Sequence, residues 1–126
     1  LHRAAPGIAS RSIVPRLIVI KRKLPSQNDA LYRHWRKYTT ERDMWFVLLR
    51  AQLPPCEQVQ VPVSLAIRAY RTRLMDYANV VGGAKPIPDC LIRLGYLKDD
   101  SPKWFTCTYE QFRVKEADVR TEIEFL

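Results

Sequence analysis

Carboxylates on both sides of one predicted helix give this sequence its clearest opportunity for metal chemistry. Asp76 precedes the helix, and the pair Asp99 and Asp100 follows it. Mg²⁺ binds one or two carboxylates together with water and a substrate phosphate, so Asp76 and Asp100 could share one ion if the preceding loop folds back along the helix. Lys85 would lie near the same helix end, where its ammonium could meet a phosphate oxygen. The alternative is that the acidic pair belongs to a solvated surface turn.

A second group of residues interleaves aromatic rings with basic side chains. It occupies residues 31–38, with the sequence Leu-Tyr-Arg-His-Trp-Arg-Lys-Tyr. Cations of this kind pair with phosphates, and aromatic rings stack on unpaired bases or sugars. The alternative is a basic loop whose rings pack on the core. Trp45 and Phe46, which follow this stretch, are predicted to be core residues.

The charge distribution predicts a polyanionic partner for the first part of the chain. The net charge is +8, from 21 Lys and Arg residues against 13 Asp and Glu residues. Up to Arg50 there are 11 basic and 3 acidic residues, whereas from Ala51 onward there are 10 of each. Because all the excess lies in the first two-fifths of the chain, we expect this part to contact the polyanion.

Composition and motifs disfavour several classes of protein. The longest unbroken aliphatic run is residues 17–20, and arginines interrupt the N-terminal region, so neither a membrane span nor a signal peptide is expected. This predicts a soluble intracellular protein. No phosphate loop or dinucleotide fingerprint is present, so we expect no nucleotide cofactor. The chain has only two histidines, and its three cysteines form no Cys-x-x-Cys pair, which disfavours a zinc site or a disulfide framework. We expect reduced, buried thiols at Cys56, Cys90 and Cys107.

The elements that must position these residues predict one small domain. Apolar residues make up 47% of the 126 residues, enough for a single core. Residues 1–12 are interpreted as a flexible arm or an expression remnant, and residues 13–126 as the domain. Within it the patterns predict a strand at 13–24, a loop at 24–39, a helix from a capping box at 40–43 to the prolines at 54–55, a strand at 59–70, a turn at Gly82 and Gly83, a helix at 86–94, and strands at 104–114 and 119–125 joined by a turn at 115–118.

This order, β-α-β-α-β-β, predicts a mixed α/β (α+β) fold in which one mixed sheet carries two main helices. Gly95 is the predicted C-terminal stop of the second helix. The first strand has an apolar edge that includes Leu17 and Val19, so it is the candidate surface for self-association.

The residues of the second half resemble those of the RusA-like Holliday junction resolvases. That family carries an Asp-x-Asp-Asn-Leu element, then a lysine, Asp-Ala-Leu, a glycine and an Asp-Asp pair. Here the same order is kept, with Gly82 and Gly83 in a short insertion, and residues 25–28 (Pro-Ser-Gln-Asn) are similar to the family's Pro-Ser-x-Asn loop. The resemblance covers residue 13 to the C-terminus, and the matching residues are Asp76, Asn79, Val80, Lys85, Asp89, Leu91, Gly95, Asp99 and Asp100.

The resemblance implies a Mg²⁺-dependent endonuclease, with Mn²⁺ as a substitute, that acts as a homodimer on four-way DNA junctions. Such enzymes often belong to phage or prophage recombination, which implies the cytoplasm of a bacterial or phage-infected cell. Asp76 and Asp100 match the first and last catalytic aspartates and the metal ligands, Asp99 precedes the last one, and Lys85 matches a lysine that assists phosphate chemistry. Asn79 and Asp89 support the motif, although local capping and pairing with a helix dipole are favoured over catalysis as the explanation of both. The residues predicted to bind DNA are Lys21, Arg22, Lys23, Asn28, Arg33, His34, Arg36, Lys37 and Lys103.

The sequence departs from the family pattern at one catalytic position. The second catalytic aspartate falls on Ala78, which has no oxygen to offer a metal. Ala78 is either an engineered change in an active enzyme, which the intact remainder of the motif favours, or a natural change that leaves a non-catalytic protein. The alternative function is therefore a binding module for branched or single-stranded nucleic acid. A third hypothesis is an RNA-binding regulator that stacks bases on Tyr32, Trp35 and Tyr38.

Overall fold

The described part of the chain is built on one mixed four-stranded sheet. A computed structural model describes residues 16–26 and 35–126, without the side chains of residues 35 and 36. The predicted fold class and element order are confirmed, except that two consecutive helices occupy the second helical position. In chain order the elements are β1 (Leu17–Ile20), α1 (Trp35–Arg50), β2 (Val63–Arg71), α2 (Tyr77–Ala84), α3 (Pro86–Leu94), β3 (Phe105–Arg113), a short 3-10 turn (Glu116–Asp118) and β4 (Arg120–Phe125).

The order of the strands in the sheet is β1-β4-β2-β3. β2 and β3 are parallel over nine residue pairs, whereas β4 runs antiparallel to both β1 and β2. A parallel pair needs a crossover connection, and α2 and α3 supply it between β2 and β3. These two helices and β3 therefore meet on one side of the sheet, where α2 contacts both α3 and β3.

Each strand separates a core side from an exposed side. Along β2, Leu65, Ile67 and Ala69 are buried on the side that faces the helices. Arg68 and Tyr70 alternate with them on the opposite side, which we call the open face. The predicted alternation is thus confirmed within the strand, although the strand begins at 63 rather than 59.

The core joins the sheet to α1 and α3. These two helices pack against each other, and their buried side chains form one cluster with those of the strands. Trp45 is fully buried, as predicted, whereas Phe46 is half-buried against the cluster. Of the three free cysteines, Cys90 is buried as expected, and the other two are half-buried.

The first helix begins earlier than the sequence pattern predicts. α1 starts at Trp35, so residues 35–39 are helical rather than part of a loop, and the expected capping box at 40–43 lies inside the helix. The reason is a helical face shared by Tyr38, Arg42, Trp45 and Leu49. Trp45 and Leu49 lie in the core, and Tyr38, upstream of the box, contacts Asp89 of the later helix at 86–94. Tertiary packing on that face stabilises the first turns.

The predicted turn at Gly82 and Gly83 is wrong, because both residues lie within α2. Glycine weakens a helix by about 1 kcal/mol relative to alanine, which makes such a pair look like a turn. Glycine is needed at position 83 because the helix backbone there lies directly against the carbonyl group of Pro25. A Cβ atom built at Gly83 would be only 1.8 Å from that oxygen.

The helix at 86–94 has the predicted limits. Pro86 occupies its first turn, and Gly95 ends it with a left-handed φ of 100°. The Gly95 N–H donates to the carbonyl oxygens of Leu91 and Ile92. The limits of the final two strands differ from the predicted ones by at most one residue at each end. No helix in the part of the chain that the structure describes is long and apolar enough to cross a membrane.

Candidate active-site cleft

One face of α2 forms the floor of an open cleft. Ala78, Val81, Gly82 and Lys85 have the spacing i, i+3, i+4 and i+7, which places them on one helical face. The last three of these line a cleft of about 230 Å³. Ala78 is exposed one turn before them. The position that departs from the resolvase pattern therefore lies on the same face as the cleft-lining residues.

Three other segments complete the walls of the cleft. Pro88 and Asp89 come from the first turn of α3, Asp100 from the loop after α3, and Phe105 and Tyr109 from β3. Lys85, Asp89 and Asp100, all singled out from the sequence, are thus brought together from three different elements.

Asp89 is held in place by contacts with Lys85 and with α1. Its Oδ1 lies 3.7 Å from Lys85 Nζ, which is an ion pair but too long for a hydrogen bond. The hydroxyl of Tyr38 donates a hydrogen bond to Asp89 Oδ2, and the Arg42 guanidinium lies 5.9 Å from the centre of the Tyr38 ring. Asp89 also lies in the first turn of α3, where the helix dipole favours a carboxylate. Asp89 therefore has a structural role, and it keeps the Lys85 ammonium close to the cleft.

The two aspartates after α3 have different surroundings. Asp99 Oδ1 accepts a hydrogen bond of 2.8 Å from the Asp100 N–H, so Asp99 shapes the turn. The Asp100 side chain is exposed and lines the cleft. Among the described residues nothing forms an ion pair with it. Asp100 is therefore a cleft carboxylate for which the described residues provide no competing cation.

Asp76 lies at the other end of α2. It is the exposed N-cap residue, its side chain makes no capping hydrogen bond, and its carbonyl oxygen accepts the N–H groups of Asn79 and Val80. It is not among the residues that line the cleft. Nine residues of helical rise put it about 13 Å along the axis from Lys85. Within residues 16–26 and 35–126, no three His, Cys, Asp or Glu side chains gather as a metal-binding group.

Sequence reasoning missed the aromatic side of the cleft. Tyr109 lies edge-on to Tyr77, with ring centroids 6.3 Å apart and planes at 84°. Burial, followed by the nearby Cys107, raises the pKa of Tyr109 well above its ordinary value, so its hydroxyl stays protonated. Phe105, Cys107 and Tyr109 share one side of β3, but alternation alone does not indicate that this side forms a cleft.

The described part of the predicted DNA-binding set is mostly exposed. Lys21, Lys23, Lys37 and Lys103 are all exposed. Arg22 differs, because its guanidinium forms an ion pair with Glu41 and lies 5.4 Å from the centre of the Trp45 ring, so it joins the end of β1 to α1. The residues outside the described side chains are Asn28, Tyr32, Arg33, His34, Trp35 and Arg36.

The structure places two N-terminal features that the sequence analysis singled out. The close approach at Gly83 brings Pro25, the first residue of the Pro-Ser-x-Asn resemblance, against the helix that carries the cleft face. β1 is an edge strand, as the hypothesis about self-association requires, with Leu17 exposed and Val19 half-buried.

Comparison with models of known protein families gives no match to this chain, and a search of curated proteins finds no significant match either.

Proposed function

We propose that this protein is a RusA-like endonuclease that cuts four-way DNA junctions, in a form weakened by Ala78. The observation that carries the proposal is the cleft, which gathers Lys85, Asp89 and Asp100 beside the helical face on which Ala78 lies. These residues span the motif that resembles the resolvases. A homodimer in the cytoplasm of a bacterial or phage-infected cell would present two such clefts to the symmetric strands of a junction.

The charge of the chain is consistent with a DNA substrate. The excess of positive charge lies before residue 51, and Lys21, Lys23 and Lys37 in this region are exposed. Exposed cations of this kind contact phosphates and release counterions, so junction affinity should fall steeply with salt.

The cleft offers few ligands for the implied metal. Among the described residues, Asp100 is the cleft carboxylate without a cationic partner, since Asp89 is engaged by Tyr38 and Lys85. A single carboxylate is at the lower limit for Mg²⁺, which completes its shell with water and substrate phosphate. Asp100 would hold the ion, whereas Asp76, the second ligand that the resemblance implies, lies outside the lining of the cleft. Bound there, Mg²⁺ or Mn²⁺ would supply an activated water and neutralise charge at the scissile phosphate.

The protein groups themselves would position the phosphate and stabilise its charge. The Lys85 ammonium, half-exposed in the cleft, meets a phosphate oxygen and stabilises negative charge that develops there. Asp89 limits how far this ammonium moves, and Tyr38 fixes the orientation of the Asp89 carboxylate. The protonated Tyr109 is a further hydrogen-bond donor on the β3 wall.

The second candidate function is a binding module without catalysis. The observation that favours it is the exposed Ala78 methyl group, which occupies the motif position of a catalytic carboxylate. Such a module would use the same basic surface but would leave the junction uncut.

Competition binding separates these functions from RNA recognition. A labelled four-way junction is bound to the protein and displaced by unlabelled junction, linear duplex of equal length, or single-stranded RNA. Junction should compete at least tenfold better than either alternative, and the variant with Lys21, Lys23 and Lys37 changed to alanine should bind it more weakly. The matched control is Lys115→Ala, an exposed lysine after β3, which should bind normally. Preference for RNA or equal competition by duplex would overturn the proposal.

A further inference from the structure

Two lysines share one tryptophan ring in the segment between α3 and β3. Lys98 Nζ lies 5.0 Å, and Lys103 Nζ 5.2 Å, from the centre of the Trp104 ring. The two ammonium groups are therefore within about 10 Å of each other, where like charges repel. We call Lys98, Lys103 and Trp104 the lysine–tryptophan patch.

Neither ammonium of the patch is neutralised within the described structure. No carboxylate there lies within ion-pair distance of Lys98 or Lys103. Lys98 Nζ instead donates a hydrogen bond of 2.6 Å to Gln60 Oε1, which is a neutral group. The two charges are thus held near one ring without a compensating anion.

The cations of the open face show a different arrangement. Arg68 is 2.6 Å from Glu124 and 3.4 Å from Glu110, and Arg120 is 2.9 Å from Glu122. These arginines are neutralised by glutamates of neighbouring strands or of their own strand. Hydrogen bonding to a glutamate is also the main reason that their pKa values are raised. The lysines of the patch, by contrast, are available to an anion from outside the chain.

The patch belongs to the chain segment that supplies Asp100 and Phe105 to the cleft. Trp104 precedes Phe105, which lines the cleft, and Asp100 lies in the same loop between Lys98 and Lys103. Trp104 is partly buried but not enclosed, so part of its surface reaches solvent. A strand with one phosphate in the cleft would place its neighbouring phosphates and bases over this loop.

We propose that the lysine–tryptophan patch binds the DNA strand next to the cleft, with both ammonium groups on phosphates and Trp104 against an unpaired base or its sugar. The location of the strand rests on the proposed function. The ligand chemistry rests on the patch itself, because aromatic rings combined with uncompensated cations are the usual contacts of unpaired nucleic-acid strands. A phosphate that attracts an ammonium also frees ring surface for stacking.

The charge contribution is tested by salt dependence. Junction affinity of the Lys98→Ala/Lys103→Ala chain is measured from low to moderate salt. Each lost phosphate contact reduces the slope of log K against log salt by about 0.7 to 0.9. We therefore expect a slope lower by roughly one to two and an affinity at least tenfold weaker at low salt. Lys98→Arg/Lys103→Arg should keep the slope, and Lys115→Ala is the control for loss of one exposed lysine.

The aromatic contribution is tested by fluorescence with a short single-stranded thymidine oligonucleotide. The measurement uses a Trp35→Phe chain, in which Trp45 and Trp104 are the remaining tryptophans. Binding should quench its tryptophan emission, and adding Trp104→Phe should remove most of this quenching, since Trp45 is fully buried. Circular dichroism confirms that each variant is folded.

The outcomes separate the two proposals. If the unchanged chain binds the junction but the double alanine variant keeps its slope, the patch proposal is overturned and the proposed function stands. If the chain does not prefer junctions, but the oligonucleotide still quenches Trp104 in a way that depends on both lysines, the patch proposal stands alone. Absence of quenching in the Trp35→Phe chain overturns the aromatic role of the patch.

Discussion

Replacing Gly83 by alanine should destabilise the fold, although alanine is the better residue in a helix. The new Cβ would lie 1.8 Å from the carbonyl oxygen of Pro25, whereas ordinary contacts begin near 3.4 Å. The loop or the helix must therefore move by roughly 1.5 Å. Overpacking of this kind costs about 1–3 kcal/mol or more, and the gain in helix propensity offsets at most about 1 kcal/mol. Because the overlap with a backbone atom is severe, the cost lies at the upper end of this range, and we expect a net loss of about 2 kcal/mol.

The neighbouring glycine provides a matched control with the opposite sign. Gly82 lies in the same helix but lines the open cleft. Gly82→Ala should therefore leave the free energy of unfolding unchanged or raise it by up to about 1 kcal/mol. Urea denaturation monitored by tryptophan fluorescence measures both variants, because Trp45 becomes exposed on unfolding. A Gly83→Ala chain as stable as the Gly82→Ala chain would refute the close approach between α2 and the Pro25 loop.

Two further predictions concern Tyr38 and Cys90. Tyr38→Phe should lower the free energy of unfolding by about 1 kcal/mol, because Asp89 loses this hydrogen bond and, among the described contacts, keeps the 3.7 Å ion pair with Lys85. The control in denaturant titrations is Tyr70→Phe. It should destabilise the fold less, because Glu122, which accepts the Tyr70 hydrogen bond, also pairs with Arg120 at 2.9 Å. Equal losses of stability would contradict this reasoning. Burial raises the pKa of the Cys90 thiol from 9.0 to about 12. Between these values the unfolded chain releases a proton that the folded chain retains, so stability should fall as pH rises through this window. Urea midpoints at pH 8 and 10.5 should differ less for Cys90→Ala than for the unchanged chain, and an identical pH dependence would contradict the assignment.

Local patterns predict the elements whose limits depend on nearby residues. The alternation of apolar and polar residues along β2 indicates a strand with one buried side. Pro86 marks the start of α3, because the first turn of a helix tolerates proline. Gly95 marks its end, because the residue there adopts a left-handed φ of 100°, which favours glycine. These features could be predicted since each depends on a few neighbouring positions.

Contacts between distant residues explain what the sequence did not predict. Gly83 looks like a turn residue until Pro25, nearly sixty positions away, is seen against it. Lys85, Asp89 and Asp100 were predicted as site residues because a motif connects them. Tyr38 was predicted only as a stacking or core residue, whereas its hydroxyl contacts Asp89 across two helices. No spacing in the sequence indicates that contact.

The most direct test of the central claim is cleavage of a synthetic four-way junction by the Ala78→Asp chain. The substitution adds a carboxylate to the helical face that lines the cleft, and the junction carries a label on each strand so that paired cuts can be recognised. With Mg²⁺, we predict symmetric paired nicks from this variant, little cleavage by the unchanged chain, and loss of cleavage when Asp100→Asn is added. If both chains bind the junction and neither cuts it, the cleft is not a nuclease site and the protein is a binding module.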